Sequence, residues 1–394
     1  MKFCIFCCII LLSKERIAIM NIKEIAEIKR RFTVERTNIS RIRGALINEK
    51  KEIISRFDQS LNLISEEEAS AVLSLLRKTL SGSINKNLID ISFTNQQVLD
   101  SSEHKMLSSL RSSTLSDDSA VNELIESVRT SYKSEGNYLV ILGCDSYDVP
   151  SYSSDGAKKE DSSEIYTYVV CAICPLNMTK STLGYRLSEN VIKNNIPDWV
   201  IGNPDAGFLF PAFDGRKANI YNALFYNKDV KDNRAELIDA LFHREAPIPV
   251  AEQKQLFTNI FRDTIADDCD IEVVKGVQEH IGQMIEEHKA SKDPEPLTVS
   301  KSTVSDILKD CGVKEEKVTE FETQFDRSFG EKASVSPQNL INTRQLEVKT
   351  ADVSIKLSSD MSELVETRVI DGQKFIMIRA DGIVEVNGVE INIK

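Results

Sequence analysis

Residues 137–150, NYLVILGCDSYDVP, and 164–176, EIYTYVVCAICPL, decide how this chain folds. Both are runs of Val, Ile and Tyr punctuated by Gly, Asp and Pro, residue types that fit a pleated surface bounded by turns. GFLFPAF (207–213) and NIYNALFYN (219–227) repeat the pattern. Together the four runs read as central strands of a mixed or antiparallel sheet. The polar stretch SYSSDGAKKEDSS (151–163) between the first two reads as a loop.

Working outward, NIKEIAEIKRRF (21–32) has the spacing of a short amphipathic helix, with Ile22, Ile25 and Ile28 or Phe32 on one face. RIRGALINEKKEIISRF (41–57) places two apolar runs around a charged turn, which predicts a β-hairpin. In SEEEASAVLSLLRKTLSG, Ser65 and Glu68 form a capping box, Ala69, Val72, Leu73, Leu76 and Leu80 a stripe, and Gly82 the stop. LIDISF (88–93) is a strand candidate, and helices are expected near 102–112, 117–133, 233–243, 250–266 and 270–289.

SKDPEP (291–296) has charge and two prolines with no apolar residue, which marks it as a linker. Beyond it come two helices, then a β-rich tail whose Asp371-Gly372, Asp381-Gly382 and Asn387-Gly388 supply hairpin turns. The expected organisation is a main domain at 20–290, a linker at 291–297 and a C-terminal module at 298–394. The fold class is α+β: a central sheet with flanking helices, plus a small helical and β-hairpin module.

The first nineteen residues stand apart. Phe3–Leu12 imitates a secretion signal, but Ser-Lys-Glu-Arg follows where a small-residue cleavage site belongs. Ten helical residues rise only about 15 Å, half of a hydrocarbon core of roughly 30 Å. Lys14-Glu15-Arg16 can be encoded by a purine-rich, ribosome-binding-like sequence just before Met20. Residues 1–19 are therefore expected to be a translated leader ahead of the true start. Without them the cysteines are Cys144, Cys171, Cys174, Cys269 and Cys311, odd in number and widely spaced. That usage fits a reducing cytoplasm.

With 41% hydrophobic and 28% charged residues, neither wholesale disorder nor a polytopic membrane protein is expected. The net charge of −12 disfavours non-specific nucleic-acid binding. It is unevenly spread, with ten Lys/Arg against six Asp/Glu between Asn21 and Ser60. Lys29, Arg30, Arg31, Arg36, Arg41 and Arg43 form a basic head that is a candidate for phosphate contacts, its bland reading being a solvated face paired with the acidic body.

Other candidates weigh less. Cys171 and Cys174 form a CxxC inside an expected strand, where residues three apart point to opposite faces, so no redox or zinc pair is expected. His104, His243, His280 and His288 show no metal-ligand spacing. Asp145, Asp148 and Asp155 follow one strand, and Asp205 and Asp214 flank GFLFP. Strand-end carboxylates can gather Mg²⁺ for hydrolysis, whereas Asp beside Gly, Pro and Ser also caps turns. No nucleophile elbow, phosphate-binding loop or dinucleotide fingerprint is present.

The phrases EIAEIKRRF, LRKTLSGSINKNLI, GNYLVILGCDSYDVP, CAICP, GFLFPAFDGR, NTRQLEVKTADVSIKL and LVETRVIDGQKF accumulate from Met20 to the C-terminus. Together they resemble a Gram-positive bacterial family known as domain of unknown function 4317. The resemblance implies Met20 as the start and supplies no activity. By element order alone the chain is also similar to bacterial nucleoid-associated proteins, an analogy of architecture. The sequence thus predicts a cytoplasmic binding or regulatory protein with a protein partner, no membrane and no evident cofactor. The alternatives are nucleic-acid binding through the arginine-rich head, and a metal-dependent hydrolase or nuclease using the aspartates.

Overall fold

The computed structural model describes residues 20–150, 164–179, 182–186, 190–195, 199–265, 271–331, 333–342, 345–380, 382–386 and 388–391. The expected leader at 1–19, the loop at 151–163 with Asp155, and Cys269 lie outside the described residues. The chain divides into two compact units, Met1–Pro247 and Ile248–Lys394.

In the first unit the chain forms α1 (Ile22–Lys29), β1 (Arg41–Ile47), β2 (Ile53–Ser60), α2 (Glu66–Lys78) and β3 (Leu88–Ser92). It continues through α3 (Asn95–Asp100), α4 (Ser102–Ser112), α5 (Asp118–Ser131), β4 (Tyr138–Val149) and β5 (Glu164–Met178). Then come β6 (Thr182–Arg186), β7 (Val191–Asn195), β8 (Trp199–Ile201), β9 (Ala206–Phe210), β10 (Ala212–Asp214), β11 (Lys217–Asn219), β12 (Asn222–Asn227) and α6 (Ala235–Phe242). The starts of α1 and α2 are closed by capping boxes, Asn21 with Glu24 and Ser65 with Glu68.

Eight strands form one sheet in the order β2-β1-β4-β5-β9-β12-β3, with β8 beside β5. Every pairing in it is antiparallel. The quoted runs are its centre, and their lack of alternation has a simple cause: both faces are covered. Val140, Leu142, Val169, Cys171 and Phe208 pack with residues of α4, α5 and α6. Ile141, Tyr168, Val170, Cys174 and Leu209 pack with residues of α1 and α2 on the other side. Burying a large apolar side chain completely contributes about 1.5–3 kcal/mol, so these strands anchor both cores. Cys171 and Cys174 lie in different cores, as their spacing predicts.

Two glycines let the strands close up. A Cβ on Gly44 would stand 1.8 Å from the Val140 carbonyl, with the Phe57 ring laid across the same spot. One on Gly207 would stand 2.3 Å from the Cys171 carbonyl.

The second unit contains α7 (Val250–Ile265), α8 (Ile271–Ser291), β13 (Val299–Ser300), α9 (Lys301–Asp310), α10 (Glu315–Phe329), β14 (Ser334–Val335) and α11 (Pro337–Leu340). Three hairpins follow: β15 (Gln345–Lys349) with β16 (Ser354–Ser358), β17 (Val365–Ile370) with β18 (Gln373–Ile378), and β19 (Val384–Val386) with β20 (Val389–Ile391). The boundary differs from the expected linker at 291–297, which falls inside this unit. The reason is packing: Phe257 of α7 and Val277, Ile281 and Ile285 of α8 share one core with Phe321 and Phe325 of α10. Among the described residues no helix is long and apolar enough to cross a membrane.

Candidate functional site

After α1 the chain turns across β4 and delivers Arg31 to Asp145. Asp145 lies opposite Tyr168 on β5 and is fully buried. Arg31 Nε and Nη2 donate to its two oxygens at 3.2 and 3.4 Å. The Asn38 amide donates at 2.7 Å and the Tyr168 hydroxyl at 2.9 Å. Burial pushes the Tyr168 hydroxyl well above its ordinary pKa, which keeps it a donor. The Arg31 guanidinium also lies 4.9 Å from the centre of the Tyr147 ring. Four donors on one carboxylate make a latch between the α1 connection and the sheet.

Of the basic head, then, Arg31 faces inward. Arg43 bonds Asp118 at 2.6 Å and the Leu115 carbonyl at 2.9 Å, tying β1 to the start of α5. Arg41 pairs with Asp58 across the β1–β2 hairpin. Lys29, Arg30 and Arg36 remain toward solvent, Lys29 half-buried. Burial, and then the charge of Arg77, lowers the pKa of Lys29.

The strand-end aspartates take separate partners. Asp148 is exposed on β4 opposite Ile165. Asp205 accepts from Lys228 at 2.9 Å, and its amide bonds Ile173 at the far end of β5. Ile173 is five residues from Tyr168, the neighbour of Asp145, so the two carboxylates stand about 17 Å apart along the strand. Asp214 accepts from Asn219 at 3.2 Å. Among the described residues no group of three or more His, Cys, Asp and Glu side chains is placed to hold a metal ion.

The histidines are engaged locally. His104 packs edge-on to Phe93 and Phe210, and its Nε2 lies 2.9 Å from the Ile220 carbonyl. His280 and His288 contact the carbonyls of Gly276 and Glu295. His243 caps the end of α6 through its amide.

One cluster escapes sequence reading. Asp90 of β3 accepts from Asn222 at 2.7 Å and Ser92 at 3.1 Å, while its second oxygen is buried with no partner. Asn219 bridges Asp214 and Asn222. Burial, then the charge of Asp214, leaves the Asp90 carboxyl with a pKa of about 7 despite its two hydrogen bonds. Next to it, Gly215 and Arg216 turn the β10–β11 hairpin with positive φ at both positions. The Arg216 amide donates to Glu24 at 3.3 Å, and its guanidinium donates to Glu27 at 2.9 Å. The signal for Asp90 is faint in sequence: one polar residue at an inward position of LIDIS.

The two units together are spanned by one family model. Its description is Domain of unknown function (DUF4317), and it matches residues 20–389. The chain belongs to this family. Neither a curated protein nor a solved structure matches it. In this DUF4317 chain the matched segment takes in the Arg31–Asp145 latch, the Asp90 cluster and the first two C-terminal hairpins, and it ends within the third, at Val389.

Proposed function

We propose that this DUF4317 protein is a binding or regulatory protein of the cytoplasm that works by recognising a protein partner. The observation that carries this reading is the apolar surface of the β17–β18 hairpin. Val369 and Ile378 are 69% and 53% exposed, with Ile370, Phe375 and Ile376 also open to solvent. A two-stranded hairpin is marginal in water by itself, and exposed apolar surface of this kind marks an interaction site. The free thiols of Cys144, Cys171, Cys174 and Cys311 support a reducing compartment. A Mg²⁺-dependent hydrolase or nuclease would draw on Asp145, Asp148, Asp205 and Asp214, and their separate partners lend it no common centre.

The test places a photoreactive residue at Phe375 in the full chain inside cells, with exposed Leu63 of the first unit as control. A protein crosslinked from position 375, and not from 63, should re-form a complex with the chain from purified components. A crosslinked protein that fails to re-form the complex would refute the reading, as would equal crosslinking from both positions.

A second reading, nucleic-acid contact, is favoured by one observation: Arg30 and Arg36 stay exposed, with half-buried Lys29 beside Arg30. Adjacent cations of this kind suit phosphate. Lys29, Arg30 and Arg36 would then carry it, with Arg31, Arg41 and Arg43 holding the surface in place. Binding of labelled DNA or RNA should weaken steeply with salt; salt-independent binding would count against it.

A further inference from the structure

The outer edge of the sheet in the first unit ends on β2, which pairs with β1 alone among the described residues. Six of its eight residues can be assigned a direction. The Leu61 amide bonds the Ser40 carbonyl at 2.9 Å, in line with the β1–β2 register. Hydrogen-bonded pairs alternate in an antiparallel ladder, so Ser55, Phe57 and Gln59 point their backbone groups at β1. Arg56, Asp58 and Ser60 therefore point theirs away from β1, where no described strand pairs with them.

Edges that natural proteins guard with charge rely on repulsion. This edge does the opposite. Its outward positions carry Arg56 and Asp58, opposite signs two residues apart and each about half exposed. Reversed against itself, the strand puts Arg56 opposite Asp58 of the second copy, twice, with Phe57 beside its own copy on the axis. Both pairs fall where backbone hydrogen bonds would form, so charge and ladder agree on one register. Arg41 and Arg43 stand behind Asp58, and Glu126 lies 3.6 Å from Arg56, so the facing charges sit in a network.

We propose that two copies of the chain join edge to edge through antiparallel β2 strands centred on Phe57, making one continuous sheet across a two-fold axis. The interface is isologous: each contact occurs twice. Opposite charges directly across strands and a shared ladder supply the complementarity. The dimer stands or falls independently of partner binding by β17–β18.

Sedimentation of the full chain over a wide concentration range tests it. The wild type is expected to form a dimer. Arg56→Glu places like charges in both symmetric pairs and should weaken association at least about tenfold. Arg56→Pro removes an outward N–H that β1 does not use, so it should leave the protomer folded by circular dichroism and abolish the dimer. Arg56→Glu mixed with Asp58→Arg should restore association, because each variant then meets the opposite charge. A wild type that stays monomeric overturns the proposal. So does a dimer that survives both Arg56→Glu and Arg56→Pro.

Discussion

Replacing Asp90 with Asn should stabilise the first unit, and by an amount that grows with pH. Burial holds the Asp90 carboxyl at about 7 in the folded chain against 3.8 for an ordinary aspartate. A carboxyl whose pKa is raised on folding is tolerated while protonated and costs stability once it must ionise. The sign follows from linkage: the unfolded chain releases its proton from about pH 4 upward, and the folded chain only near pH 7. Between those values wild-type stability falls by up to about 1.4 kcal/mol per pH unit on account of this residue, then levels off. From pH 5 to pH 8 the loss amounts to about 3 kcal/mol. Asn keeps the acceptor for Asn222 and Ser92 and cannot ionise, so it escapes that loss. The assay is denaturant unfolding at pH 5, 6, 7 and 8. It is followed by the fluorescence of Trp199, the single tryptophan, which lies in β8 of the first unit. The variant's advantage should widen across the series. A difference that stays flat, or narrows toward pH 8, would refute the reasoning.

Asp145→Ala should cost roughly 3–5 kcal/mol, because it strands Arg31 without its buried counter-charge, and the unfolding midpoint measures it. Gly44→Ala should cost about 3 kcal/mol or more, since the new Cβ meets the Val140 carbonyl at 1.8 Å; loss of soluble folded protein would agree, and an unchanged midpoint would not. Cys171 and Cys174 should resist alkylation at pH 8 until the chain unfolds, because burial pushes both thiols up, Cys174 to about 12; mass spectrometry of the labelled protein reads this directly.

Much of the first unit is legible because its local chemistry and its tertiary role coincide. The Val, Ile and Tyr runs at 137–150 and 164–176 are strands by propensity, and also the strands buried on both faces. Ser65 and Glu68 announce α2 because a capping box is complete within four residues. The parity of Cys171 and Cys174 needs only the period of a strand.

What fails to show is long-range. Arg31 meets Asp145 across 114 positions, and Asp90 meets Asn222 across 132. No local rule pairs them, so Arg31 looks like part of a phosphate-binding head, Asp145 like a strand-end carboxylate for a metal, and Asp90 carries almost no signal. The domain boundary misleads for a related reason. SKDPEP has the composition of a linker, whereas the observed break, at Pro247 and Ile248, sits among apolar neighbours. Whether α7 and α8 belong before or after it is settled by which core their phenylalanine and valines enter.

Recognition is expected to rest on the exposed hairpin and not on the charged head. Calorimetry with the crosslinked partner tests it directly, comparing wild type, Ile376→Glu, and the triple change Lys29→Ala, Arg30→Ala and Arg36→Ala. A carboxylate in an apolar contact should weaken binding roughly a hundredfold, while the triple change should leave affinity within about twofold. Full affinity in Ile376→Glu, or its loss in the triple variant, would contradict the account.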